Sequence, residues 1–117
     1  MINILYCGND KVFDGVLTSA LSALKRHKGN ECFTFYIFTM DVSHIDKKYL
    51  PISDSQIDFL DRVVKEYGKD NKVIKISVDS HYKNEFDGCP NESAYCSPYT
   101  LIRLFCDLVD EIPDKLL

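Results

Sequence analysis

Apolar and polar positions along this chain follow two periods, and the switches between them mark its elements. Ile2, Ile4, Leu5, Tyr6 and Cys7 form a short apolar run ended by Gly8-Asn9-Asp10, the pattern of a buried first strand followed by a turn. From Phe13 the apolar positions Val16, Leu17, Ala20, Leu21 and Leu24 recur at three- and four-residue steps. Lys25-Arg26-His27-Lys28 and Gly29 then supply a basic last turn and a stop, so the pattern predicts a helix. Its small residues Ser19, Ala20, Ser22 and Ala23 let it lie close to a sheet. Residues 32–38 have the aromatic and β-branched content of a central strand buried on both faces.

Ser53-Asp54-Ser55-Gln56 has the spacing of a capping box, and Ile57, Leu60, Val63, Val64 and Tyr67 follow on one helical face until Gly68. After the polar turn Lys69-Asp70-Asn71, residues 72–78 carry Val73, Ile74, Ile76 and Val78, a third strand. Residues 79–96 show no periodicity and include Gly88 and Pro90, which predicts a long loop of the functional or mobile kind. Ser97 and Pro98 start a last helix running to about Glu111, with Leu101, Ile102, Phe105, Leu108, Val109 and Ile112 as its buried stripe. Pro113-Asp114-Lys115 is then a turn, and Leu116-Leu117 the beginning of a fourth strand. Strands alternating with helices predict an α/β fold with a mostly parallel, Rossmann-like sheet and right-handed crossovers.

The 117 residues are 45% hydrophobic, enough for one core and for one domain or part of one. A net charge of -4 offers no clustered cation for phosphate backbones or anionic lipid, which excludes nucleic acid as a partner. No apolar run approaches the roughly 20 residues that cross a bilayer, and the first residues lack the order of a signal peptide; the expected location is the cytoplasm. Five cysteines, at least three of them (Cys7, Cys32, Cys106) inside apolar segments, read as reduced thiols.

Candidate chemistry gathers at two places. In open α/β sheets ligands bind beyond the carboxyl ends of strands, and the first strand here ends in Cys7-Gly8-Asn9-Asp10-Lys11. Gly8 permits close backbone approach, Asn9 or Asp10 can cap the following helix, and the amides of a helix start favour an anionic or acceptor-rich group. The turn reads as a nucleotide pocket or as a plain βα turn; neither GxGxxG nor GxxxxGK[ST] is present to decide. Arg103 stands off the apolar stripe of the last helix. It reads as an exposed pair with Asp107 or as a guanidinium aimed at the base or diphosphate of a nucleotide. His81, Cys89 and Cys96 are separated by seven and six intervening residues, which is not the spacing of a zinc site. His27 reads as a helix-end cation and His44 as a surface residue, and no nucleophile motif such as GxSxG occurs.

Taken together, the first strand with GNDKVFDG, the helix TSALSALKRH, the capped SDSQIDFL and above all SPYTLIRLF...PDKLL resemble glycosyltransferase family 8. That family includes glycogenin and the bacterial galactosyl- and glucosyltransferases that build lipopolysaccharide. The resemblance runs over nearly the whole chain and implies the N-terminal half of an A-type glycosyltransferase fold holding a UDP-sugar. It places uracil and ribose against Cys7, Gly8, Asn9, Asp10 and Lys11, matches Arg103 to the family's basic residue on the helix after the long loop, and puts Val12 where many members carry a Tyr beside the base. It implies a retaining hexosyltransferase with a saccharide acceptor. It also implies manganese or another divalent cation, held by an Asp-x-Asp that follows PDKLL in the family and does not occur here. The expectation is a donor-nucleotide segment, inactive alone, of a larger transferase. Two rival readings are a receiver-like regulatory module with Asp10 or Asp79 as its acidic site, and a non-catalytic fragment that self-associates through an uncovered strand edge.

Overall fold

Three parallel strands, β1 (Ile2–Cys7), β2 (Phe33–Thr39) and β3 (Lys72–Ser77), form one sheet in the order β1-β2-β3. The computed structural model describes residues 1–44, 47–85, 99, 102–113, 115 and 116. The strands begin and end within one residue of the positions their patterns predict. β2 is buried along its whole length because it has a strand on each side. β1 is only half-buried, against the expectation of a buried strand, because β2 is its one partner among the described residues. The registers Cys7↔Phe38 and Phe38↔Ile76 bring the three carboxyl ends to one level, so the loops leave the sheet side by side.

Alternation along β2 sorts its side chains between two cores. Phe33, Phe35 and Ile37 pack with Phe13, Val16, Ala20 and Leu24 of α1 (Phe13–Arg26) and with Leu60 and Val64 of α2 (Asp54–Tyr67). On the other face Phe38, with Met40, Val42 and Val78, packs against Tyr82, Tyr99, Ile102, Phe105 and Val109. Both crossover helices cover the same face, as right-handed βαβ units stepping in one direction require. The order also separates two kinds of doubly wound sheet. The receiver layout puts β1 between β2 and β3, whereas here β2 is central, as in the 3-2-1 half of a Rossmann-like sheet.

The capping box of α2 forms in both directions: Ser53 Oγ accepts from the Gln56 amide at 3.2 Å, and Gln56 Oε1 accepts from the Ser53 amide at 2.9 Å. Replacing Ser53 by Ala is expected to cost about 1 kcal/mol in urea denaturation, and Ser53→Asp much less, because aspartate restores the acceptor.

Three expectations need correction. Residues 79–85 are helical: α3 (Asp79–Glu85) continues directly from β3, with the Tyr82 amide donating to the Val78 carbonyl. Two turns carrying a single buried aromatic, Tyr82, are too short to display a repeating stripe. The rest of the expected loop, residues 86–96, lies outside the described residues. Among the described residues the last helix is tighter than predicted, a 3-10 helix over Ile102–Asp107 that gives way to turns before Glu111, while its expected start at Ser97 and Pro98 lies outside them. Its three-residue turn aligns Ile102 with Phe105 toward the sheet, while Leu104 and Leu108 stay 62% and 53% exposed, so Leu108 does not belong to the buried stripe. Leu116 is not in a strand, and Leu117 lies outside the described residues; the Lys115 carbonyl accepts from Asn3 Nδ2 at 3.2 Å, which brings this segment beside β1.

Candidate functional site

Beyond Cys7 the chain is held in place by its own backbone. The Gly8 amide donates to the Phe38 carbonyl at 3.1 Å, and the Gly8 carbonyl accepts from Thr39 Oγ1 at 2.8 Å. The same Thr39 hydroxyl accepts from the Ile52 amide at 2.9 Å. Asn9 forms an antiparallel bridge with Pro51, the Asp10 amide donates to the Leu50 carbonyl at 3.1 Å, and Gln56 Nε2 reaches the Asp10 carbonyl at 3.4 Å. The turn after β1 and the approach to α2 therefore form one bonded unit, with the buried Thr39 hydroxyl at its centre.

Neither Asn9 nor Asp10 caps α1, contrary to the sequence reading. A 3-10 turn at Asp10–Val12 intervenes, and Val12 occupies the cap position without a side-chain bond. The backbone contacts of Asp10 explain the shift: its amide and carbonyl are already committed to Leu50 and Gln56. Its Oδ1 is left buried without a hydrogen-bond partner among the described residues. Lys11 is exposed, and Val12 is 45% exposed.

Gly8 is required by close approach. A Cβ there would lie 2.2 Å from Val12 Cγ2, so the valine rests directly over the glycine. Gly8→Ala is expected to cost about 1 to 2 kcal/mol, since a half-exposed valine can move but not freely. Adding Val12→Ala should recover most of that loss, and a double-mutant cycle by denaturation measures it. An additive cycle would mean that the contact does not set the cost.

Arg103 is exposed on the 3-10 helix and forms no ion pair with Asp107. At three residues per turn, a partner four positions on is rotated about 120° away, which removes the i,i+4 contact expected of an α-helix. Its charge is felt instead at the end of β1. Burial pushes the Cys7 thiol up, the Arg103 guanidinium offsets part of that rise and neighbouring Cys106 adds to it, and together they leave it at about 12. Cys7, Gly8, Asn9, Asp10, Lys11 and the Arg103 segment thus share one end of the sheet. Cys7, Cys32 and Cys106 are free thiols; Cys89 and Cys96 lie outside the described residues.

Two further acids sit at the same level and escaped the sequence reading as a group. Asp41 follows β2 and Asp79 follows β3, and Asp79 Oδ1 accepts from the Asp41 amide at 2.7 Å. The Ser43 amide, then its hydroxyl, hold the Asp41 carboxyl below the usual range. Tyr99 is buried, donates its hydroxyl to the Met40 carbonyl at 2.6 Å and meets the Tyr49 ring edge-on at 5.8 Å. Burial, and then Asp41, Asp10 and Asp79 around it, raise its pKa, so the phenol remains a hydrogen-bond donor at neutral pH. Beside these acids lies a hollow of about 370 Å³ lined by Asp41, Val42, His44, Asp79, Tyr82 and Lys83. Noting the first polar residue beyond each strand would have found both acids.

His81 packs its ring 5.6 Å from that of Phe105, and His27 meets Phe33 edge-on at the far end of the sheet. Among the described residues no three His, Cys, Asp or Glu side chains are grouped to hold a metal, and no helix is long and apolar enough to cross a membrane. A scan against protein-family models finds no match, and searches of curated proteins and of solved structures find none either.

Proposed function

We propose that this chain is the nucleotide-binding part of a retaining hexosyltransferase that takes its sugar from a nucleotide donor, most simply a UDP-hexose, and passes it to a saccharide acceptor. The observation that carries the reading is the packing of the Arg103 helix at the end of β1: Cys7 and Cys106 lie against the core that holds Ile102 and Phe105, and the Arg103 charge acts on the Cys7 thiol from there. Two short motifs far apart in sequence thereby serve one end of the sheet. In the 3-2-1-4-5-6 strand order the carboxyl end of β1 is the switch point, where open α/β sheets bind nucleotides. The turn Cys7–Lys11 receives the nucleoside, Asp10 Oδ1 supplies a buried acceptor for an N–H or O–H, and Arg103 offers a planar fork to the diphosphate.

The described residues do not compose a divalent-cation site, and the Asp-x-Asp that the family resemblance assigns to manganese is not in this sequence. The chain's own part is binding and orientation, not bond cleavage. Titration with UDP tests it: UDP at a hundred times its Kd stabilises by about 2.7 kcal/mol, a rise of several degrees in melting temperature. An acyl-phosphate analogue with magnesium should give none. No rise with UDP at millimolar concentration would sink the proposal.

A further inference from the structure

The hollow between the ends of β2 and β3 lies beside the residues assigned above, and its lining has a definite chemistry. Its base is apolar, made of the buried Val42 and Tyr82, and its rim carries the exposed Asp41, Asp79, His44 and Lys83. It borders the turn after β1 through the segment ahead of α2. The Val42 amide donates to the Tyr49 carbonyl at 3.2 Å, and the next residue, Leu50, accepts from the Asp10 amide at 3.1 Å.

Asp41 is held rigidly at this rim. Its amide is bonded to Asp79 Oδ1, and its own Oδ1 accepts from the Ser43 amide at 3.0 Å. A carboxylate has about four lone-pair directions, so the bonds from Ser43 leave capacity for two more donors. Two neighbouring hydroxyls on a five-membered ring are donors of that number and spacing. Charge sets the direction in which a nucleotide would lie. The two carboxylates of the rim outnumber its one ammonium, Lys83, so the rim repels phosphate on balance while Arg103 attracts it, and the diphosphate turns toward the 3-10 helix and the sugar toward the acids. In Rossmann-type sheets an acid that follows the first βα unit accepts from ribose hydroxyls.

We infer that this hollow is a ribose subsite, in which Asp41 accepts hydrogen bonds from the 2′- and 3′-hydroxyls of the nucleotide and Asp79 holds Asp41 in position. The inference rests on the nucleotide reading above and adds the residue that distinguishes ribonucleotides from their deoxy counterparts.

Calorimetric titration of the whole chain with UDP and with 2′,3′-dideoxy-UDP tests it. The unmodified chain should prefer UDP by about tenfold, as expected for a site built around hydroxyl donors. Asp41→Ala, checked for folding by circular dichroism, should weaken UDP by about the same factor and bind both ligands alike, because alanine has no acceptor for either hydroxyl. Equal affinity of the unmodified chain for the two ligands overturns the ribose subsite while leaving the nucleotide reading intact, and needs no variant to fold. A preference retained in Asp41→Ala overturns it too. Loss of UDP-glucose binding in Asp41→Ala with UDP binding unchanged would assign the hollow to the hexose instead, and also overturns it. Binding of neither nucleotide by the unmodified chain removes the inference together with the proposed function.

Discussion

Thr39→Val should destabilise this protein by about 2 to 6 kcal/mol, although valine has nearly the shape of threonine. The Thr39 side chain is fully buried, and its hydroxyl donates to the Gly8 carbonyl while accepting from the Ile52 amide. Valine leaves a buried carbonyl and a buried amide without partners, and each orphaned group costs about 1 to 3 kcal/mol. Against a total of about 5 to 15 kcal/mol for a domain of this kind, that is a large fraction. Thr39→Ser keeps the hydroxyl and loses one methyl group, so its expected cost is nearer 1 kcal/mol. Guanidinium denaturation of the three proteins gives the comparison. Equal losses for serine and valine would show that the methyl group, not the hydroxyl, matters at this position. Because this hydroxyl joins the turn after β1 to the approach to α2, UDP affinity should fall further in Thr39→Val than in Thr39→Ser.

Elements with long repeats were legible in the sequence, and contacts between distant segments were not. The capping box of α2 is a local pattern: four consecutive residues hold both partners of both bonds, so reading Ser53 to Gln56 was enough. β2 was legible because a core covers each of its faces, which leaves no side for charged residues and fills the strand with aromatic and β-branched side chains. Thr39 carried no such mark. Its partners are 31 and 13 residues away in sequence, and a threonine at a strand end normally reads as an edge residue. Asn71 is similar. It reads as a turn residue, yet its buried side chain accepts from the Phe33 amide at 2.8 Å and donates to the Val64 carbonyl at 2.9 Å, joining β2 to the end of α2. The terminal helix misled the sequence reading for a different reason. Ile102, Phe105 and Val109 fit an α-helical stripe, but three- and four-residue steps also fit a 3-10 turn followed by a bend, and only tertiary packing chooses between them.

At the site, the same limit decided which residues could be found. The turn after β1 was identified from the strand before it, and Arg103 from its position off the apolar stripe. That the two approach each other depends on how the 3-10 helix lies across the second core, where Ile102 and Phe105 pack with Phe38. The phenol of Tyr99 anchors that helix's approach by its bond to Met40, at the carboxyl end of β2. A single apolar-to-polar pattern along the chain carries no information on such an anchor, because its partner is a backbone carbonyl.

Arg103→Ala separates the geometry from the proposed chemistry, since each makes its own prediction. The residue is exposed and has no ion pair among the described residues, so its removal should change stability by less than about 0.5 kcal/mol. A hydrogen bond to a charged group contributes about 1.5 to 3 kcal/mol, so loss of the guanidinium should weaken UDP by roughly ten- to a hundredfold. Arg103→Lys should fall between, because it keeps the charge but not the fork. Uridine, which has no diphosphate, should bind the unmodified chain and Arg103→Ala alike; an equal loss for uridine and UDP would mean that Arg103 does not meet the diphosphate. The thiol of Cys7 gives a reading that needs no nucleotide. Arg103 pulls its pKa down against burial, so Arg103→Ala should raise it further, lower the thiolate fraction at any given pH and slow alkylation at Cys7. Mass spectrometry of peptides containing Cys7 follows that rate. An unchanged rate would place the guanidinium away from the end of β1, and the convergence on which the nucleotide reading depends would be lost with it.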